Sequence, residues 1–175
     1  IVVGTSAGAI VGALYAAGID IAQLEKIAFA IQESQLNDWG LPDRGVIKGE
    51  ALQTMVNRAV NNLPLEKMVR PFGVVATDLR SGERRVFRTG NTGKAVRASS
   101  AVPGVFQPVA ITGREYVDGG LTSPVPVRAA REMGADFVIA IDISAQPEFG
   151  KTDSTFNVLM QTFTAQIDAL GVDLP

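Results

Sequence analysis

The chain opens with an apolar run that passes through a glycine-flanked serine straight into a run of small residues, IVVGTSAGAIVGAL. Branched apolar residues favour a buried strand and alanine-rich runs favour a helix, so a strand, a tight turn and a helix must fit into this stretch. The pattern predicts a strand over residues 1–3 and a helix over 6–17, which Gly18 ends. Such a unit belongs to folds in which helices cover a sheet.

Strands and helices continue to alternate along the chain, which predicts one α/β domain over residues 1–175. Asp20 and Gln23 have the spacing of a capping box at the start of the second helix, and Gly82 marks a hairpin turn. The remaining predicted elements are helices around 21–31, 52–59, 94–100, 127–133 and 156–170, hairpins over 72–89 and 106–120, a loop over 37–49 and a central strand over 136–143.

Composition removes several classes of function. The net charge is −2 and the 16 basic residues are scattered, so we expect no nucleic-acid partner. Cysteine is absent, which excludes thiol catalysis and thiolate metal sites, and no apolar run approaches the length of a spanning helix. Histidine is absent too, so any proton acceptor supplied by this chain must be Asp, Glu or Lys.

The turn after the first strand, Gly4-Thr5-Ser6-Ala7-Gly8, matches the G-x-S-x-G nucleophile elbow. In such an elbow the glycines relieve clashes, the Ser6 hydroxyl projects outward, and the Ala7 N–H faces a developing oxyanion. The alternatives are a serine that only caps the helix and, less favoured, a phosphate loop. The phosphate loop needs Lys-Ser/Thr after its last glycine, whereas Gly8 is followed by Ala9-Ile10.

Asp118 is the best candidate for the base. It follows a predicted strand and precedes Gly119-Gly120, a turn flexible enough to approach another loop closely. Sites in open α/β sheets lie at the carboxyl ends of strands, where Ser6 is also expected. Asp78 and Asp142 also end predicted strands and remain rivals, and an ordinary Asp-Gly-Gly turn is the alternative interpretation.

Four segments, GTSAGAIVGALYAAG, ATDLRSGERRVF, RASSAVPGVFQPV and YVDGGLTSPVPV, together resemble the patatin-like phospholipase family, particularly its bacterial members related to neuropathy target esterase. The resemblance runs from Ile1 to about Ser144. It implies a three-layer α/β/α fold, related to the α/β-hydrolases, with a mostly parallel central sheet. It also implies a Ser6–Asp118 dyad that cleaves esters of phospholipids, lysophospholipids or simpler acyl esters through an acyl-serine. No metal or cofactor is expected, and the lipid substrate allows peripheral membrane contact.

The family's glycine-rich oxyanion loop lies upstream of the elbow, so we expect the N-terminal strand and that loop to be missing from this chain. The expected consequences are weak activity and an unpaired sheet edge. The segment RASSAVPGVFQPV is expected to shape the wall of the site, with Ser99 and Ser100 capping a helix or bonding backbone rather than reacting. Three functions stay open: a lipid acyl hydrolase, a regulatory or binding module with little hydrolysis, and a peptidase with a Ser–Asp pair.

Overall fold

The computed structural model describes residues 1–30, 38–39, 44–143, 158, 161–162 and 165. The chain begins with one strand and three helices, and two hairpins follow, each succeeded by a helix, in the order that the sequence predicts. The strands are β1 (Val2–Thr5), β2 (Phe72–Asp78), β3 (Arg84–Phe87), β4 (Val109–Ile111) and β5 (Arg114–Asp118). The helices are α1 (Ala7–Ala16), α2 (Ile21–Ala30), α3 (Glu50–Ala59), α4 (Thr92–Ser99) and α5 (Val127–Glu132), with 3-10 turns at Leu65–Lys67 and Gly119–Leu121.

These strands form one five-stranded mixed sheet around β2, all seven residues of which are buried. The expected α/β class is confirmed, but the expected mostly parallel sheet is wrong for the described strands. Only β1 pairs with β2 in parallel, whereas β3 and β5 pair with β2, and β4 with β5, in antiparallel fashion. For the pairs β2–β3 and β4–β5 the physical reason is the short connection, because a tight hairpin forces antiparallel pairing and parallel neighbours need a long crossover.

The register of β2 places β1 and β5 end to end along one of its edges. Val74 and Val75 pair with both β1 and β3, and Ala76 and Thr77 pair with both β3 and β5. Since a strand has only two edges, β1 and β5 must share the edge opposite β3. Strand β1 runs parallel to β2 and ends where Thr5 pairs with Val75, and β5 runs antiparallel to β2 and ends where Asp118 pairs with Ala76. The carboxyl ends of β1 and β5 therefore converge at the middle of β2.

Helices α1, α3 and α4 supply most of the core beside the sheet. The small residues of α1 allow close packing, since a Cβ at Gly12 would lie 2.9 Å from the Phe72 ring. In contrast, α2 has no buried residue: Leu24 and Ile27 pack partly against the core and Ile21 is exposed. The apolar face predicted for α2 is therefore only half used, although Asp20 caps it by accepting the Gln23 N–H at 2.8 Å.

The central strand predicted over 136–143 is wrong. These residues lie in neither helix nor strand, and four apolar side chains of the segment, Phe137, Ile139, Ile141 and Ile143, are between 72% and 80% exposed. A strand needs a neighbour with a free edge, and no described strand pairs with this segment. The six apolar residues of the stripe predicted over 156–170 lie outside the described residues, as do residues 37 and 40–43 of the predicted loop. Among the helices that the structure describes, none is long and apolar enough to cross a membrane.

Candidate active site

The turn between β1 and α1 holds Ser6 in an unusual backbone conformation, with φ 52° and ψ −120°. Positive φ is uncommon for a residue with a side chain and is typical of strained functional turns. Gly4 makes the turn possible, because a Cβ there would lie 2.3 Å from the Gly8 carbonyl oxygen. Gly8 itself has open space around its Cα, so the prediction that both glycines avoid clashes is correct for Gly4 alone.

The Ser6 side chain does not cap the helix that it precedes. The Ser6 carbonyl accepts the Ala9 and Ile10 N–H groups, but no capping bond reaches the hydroxyl. That hydroxyl lies instead near the Asp118 carboxylate, close enough to lower the pKa of that carboxyl. The capping interpretation of Ser6 therefore does not describe this turn, and the structure brings together the two residues that the sequence singled out.

Asp118 ends β5 as a buried carboxylate with only 2% of its surface exposed. Its Oδ1 accepts the Gly120 N–H at 2.7 Å. Burial raises the pKa of Asp118 from its ordinary 3.8 to about 6, while the Gly120 N–H that it accepts and the nearby Ser6 hydroxyl favour the charged form and limit the rise. The carboxylate is thus a stronger base than an ordinary aspartate, yet it is ionised at neutral pH.

The main chain of Asp118 is fixed by its neighbours. Its N–H donates to the Ala101 carbonyl at 3.0 Å, and its carbonyl accepts the Thr77 hydroxyl at 2.8 Å. The next residue, Gly119, passes so close to β2 that a Cβ would lie 2.3 Å from the Val75 carbonyl oxygen. Gly119 is therefore required by this close approach, and it allows the Asp118 turn to reach the end of β1.

The two other candidate carboxylates have surroundings that differ from those of Asp118. Asp78 is a hairpin-turn residue: its Oδ1 accepts the N–H groups of Arg80 and Ser81 at 3.0 and 2.9 Å. Its Oδ2 pairs with Arg114 at 2.7 Å, and the turn hydrogen bonds, led by that of Ser81, lower the pKa of Asp78. Asp142 is exposed, in the segment that forms no strand. Of these three carboxylates, Asp118 is the one whose pKa responds to the nearby Ser6 hydroxyl.

The start of α1 offers backbone donors beside Ser6. Ala7 and Gly8 are exposed, and no acceptor among the described residues pairs with either N–H group. Free N–H groups at a helix start, together with the helix dipole, favour negative charge at this point. In the part of the chain that the structure describes, no group of three or more His, Cys, Asp or Glu side chains could hold a metal ion.

Sequence reasoning missed one residue of the site. Ser99, the last residue of α4, accepts the Ser6 N–H on its Oγ at 2.8 Å and donates to the Val75 carbonyl. The expectation that Ser99 bonds backbone is confirmed, and the backbone groups are those of Ser6 and Val75. The same expectation is wrong for Ser100, whose buried Oγ has no hydrogen-bond partner among the described residues. The segment RASSAVPGVFQPV, which contains Ser99, could indicate a residue in the wall of the site, but nothing in its sequence identifies Ser6 as the partner of Ser99.

Comparison with known proteins places this chain in a family. The family model described as patatin-like phospholipase matches residues 1–131. An uncharacterized NTE family protein of Mycobacterium bovis is 31% identical over 159 residues, which are 90% of this chain and 44% of that protein. The human patatin-like phospholipase domain-containing protein 6 is 31% identical over 153 residues, 83% of this chain and 11% of that protein.

The chain therefore spans less than half the length of these curated relatives. Its mixed sheet with packed helices agrees with the three-layer α/β/α fold that the sequence resemblance implied. The match covers the elbow of Ser6, the turn of Asp118 and the α4 segment that contacts both. The chain belongs to the patatin-like phospholipase family.

Proposed function

We propose that this protein is a serine acyl hydrolase that cleaves carboxylic esters of phospholipids, lysophospholipids or related acyl esters. Members of the family are hydrolases of lipid esters. The observation that carries the proposal is the proximity of the Ser6 hydroxyl to the buried Asp118 carboxylate. A nucleophile next to a base of raised pKa is the arrangement that covalent acyl transfer requires.

In the acylation step, Ser6 Oγ attacks the ester carbonyl carbon and Asp118 takes the hydroxyl proton. The carbonyl oxygen becomes an oxyanion in the tetrahedral intermediate, and the free N–H groups at the start of α1, Ala7 among them, face it. When the intermediate collapses, the ester C–O bond breaks. The leaving alkoxide takes the proton from Asp118, and the acyl group stays on Ser6.

In the deacylation step, water attacks the acyl-serine carbonyl and gives its proton to Asp118. The second tetrahedral intermediate collapses, the acyl–Oγ bond breaks, and the Asp118 proton returns to Ser6 Oγ. One carboxylate thus acts as base and then as acid in each half of the cycle. Its pKa of about 6 lies nearer to neutral than that of an exposed aspartate, which suits both roles.

The first experiment is hydrolysis of p-nitrophenyl butyrate by the complete protein and by its Ser6→Ala and Asp118→Asn variants. We expect both variants to remain folded and to lose activity by about a thousandfold or more, because each removes a reacting group. The matched control is Asp78→Asn, which changes another buried strand-end carboxylate that makes no contact with Ser6. It should keep the wild-type rate per folded molecule.

Two results would refute the proposal. Wild-type activity in the Ser6→Ala variant would remove Ser6 as nucleophile, and an inactive but folded wild-type protein would favour the regulatory or binding module instead. Parallel assays with a lysophospholipid, a diacyl phospholipid and a peptide substrate test the substrate class. Turnover of the peptide in preference to the esters would favour the peptidase.

A further inference from the structure

The segment at the end of α4 contacts the main chains of both Ser6 and Asp118. Ser99 Oγ accepts the Ser6 N–H at 2.8 Å, and two residues on, the Ala101 carbonyl accepts the Asp118 N–H at 3.0 Å. Ser99 Oγ also donates to the carbonyl of Val75, the β2 residue that pairs with Thr5. One short segment therefore ties the elbow, the base turn and the central strand together.

The Ser6 N–H depends on this bond because of its backbone conformation. With φ 52°, Ser6 belongs to neither β1 nor α1, and no backbone carbonyl of the described residues accepts its N–H. Ser99 is fully buried, so water cannot easily replace its hydroxyl. A strained residue of this kind costs about 1–3 kcal/mol and persists only where its surroundings hold it in place.

We propose that Ser99 is a positioning residue that holds the Ser6 backbone so that the Ser6 hydroxyl points at Asp118. The proposal rests on the proposed function, since it assigns Ser99 a role in aligning that nucleophile. Ser99 is bonded at both its acceptor and its donor side, so it does not react with substrate. It acts through the Ser6 N–H on one side and the Val75 carbonyl on the other.

The chain supplies a matched control one residue away. Ser100 is 7% exposed, and its Oγ has no hydrogen-bond partner within the described structure. Ser100→Ala therefore removes a hydroxyl of similar depth without removing a bond. Ser99→Ala removes a hydroxyl that carries two bonds. A difference between the two variants reports those bonds rather than the loss of a buried serine at the end of α4.

The test measures three quantities in the complete protein and in the Ser99→Ala, Ser99→Thr and Ser100→Ala variants: kcat and KM with p-nitrophenyl butyrate, the rate at which a fluorophosphonate labels Ser6, and Tm. We expect Ser99→Ala to lower kcat and the labelling rate by about 10- to 100-fold, because a misplacement of about 1 Å can cost that much. KM should change by less than about threefold. Ser100→Ala should match the wild type, and Ser99→Thr, which keeps the hydroxyl, should recover part of the loss.

Equal kcat and labelling rates for Ser99→Ala and Ser100→Ala would overturn the proposal while leaving the proposed function intact. A folded wild-type protein that neither hydrolyses the ester nor labels at Ser6 would overturn both. If Ser99→Ala does not fold, the comparison moves to Ser99→Thr and Ser99→Cys. Cysteine has nearly the volume of serine but is a weak acceptor, so the proposal requires the Thr variant to be the faster of the two, and equal rates contradict it.

Discussion

The buried carboxylate of Asp118 should make the folded protein less stable as it becomes ionised. Its pKa is about 6 in the folded state against the ordinary 3.8. At pH values between 3.8 and about 6, Asp118 is ionised in the unfolded chain but still protonated in the folded protein. The free energy of unfolding therefore falls as pH rises through this range and levels off above about pH 6. A gap of this size corresponds to about 3 kcal/mol of lost stability at pH 8.

Asp118→Asn removes the charge and keeps the shape of the side chain. The amide oxygen can still accept the Gly120 N–H, and an amide stays neutral at every pH. We therefore expect the free energy of unfolding of the variant, relative to wild type, to rise by about 2–3 kcal/mol between pH 4 and pH 8, with roughly half of that gain reached by pH 5. The variant should be inactive and more stable at neutral pH.

Urea unfolding of both proteins at a series of pH values between 4 and 8 provides the measurement. The control is Asp78→Asn, for which almost no dependence on pH is expected across this range. Hydrogen bonds lower the pKa of Asp78, so the stabilisation from its carboxylate is present throughout pH 4 to 8 and fades only as pH falls below the ordinary pKa of 3.8. A stability difference between Asp118→Asn and wild type that does not change with pH would refute the reasoning about Asp118.

Two further predictions concern the same site. The value of kcat/KM for ester hydrolysis should rise about tenfold per pH unit up to about pH 6 and then level off, because the ionised Asp118 is the base; a level profile down to pH 4 would contradict this. Gly4→Ala should lower the free energy of unfolding by about 2 kcal/mol or more, since its Cβ would lie 2.3 Å from a carbonyl oxygen. Gly8→Ala, in open space within a helix, should be neutral or stabilising by about 1 kcal/mol, and equal effects of the two in urea unfolding would contradict the geometry.

The residues of the candidate site could be predicted from sequence because each depends on local chemistry. A strand that turns through Gly-x-Ser-x-Gly into a helix indicates an elbow at Ser6, and the absence of histidine directs attention to carboxylates such as Asp118. Their meeting point could not be predicted in the same way. It depends on the pairing of the last residue of β1 with Val75 of β2 and of the last residue of β5 with Ala76 of β2, and no local pattern specifies that register.

The wrong prediction of a central strand has a simple physical cause. An apolar run shows what a segment can bury, not whether a neighbour is there to bury it. Residues 136–143 have the composition of a central strand but pair with no described strand. Similarly, Ser99 could be predicted to bond backbone, but its partner Ser6 lies 93 residues away in the chain.

The central claim is that Ser6 carries the acyl group, and trapping that intermediate tests it most directly. The complete protein is mixed with p-nitrophenyl butyrate, quenched in acid within the first turnovers, digested and examined by mass spectrometry. The account predicts a butyryl group on the peptide that contains Ser6, and none on that peptide in the Ser6→Ala variant. An active protein whose butyryl group lies on another residue, or whose Ser6→Ala variant keeps the wild-type rate, would contradict the account.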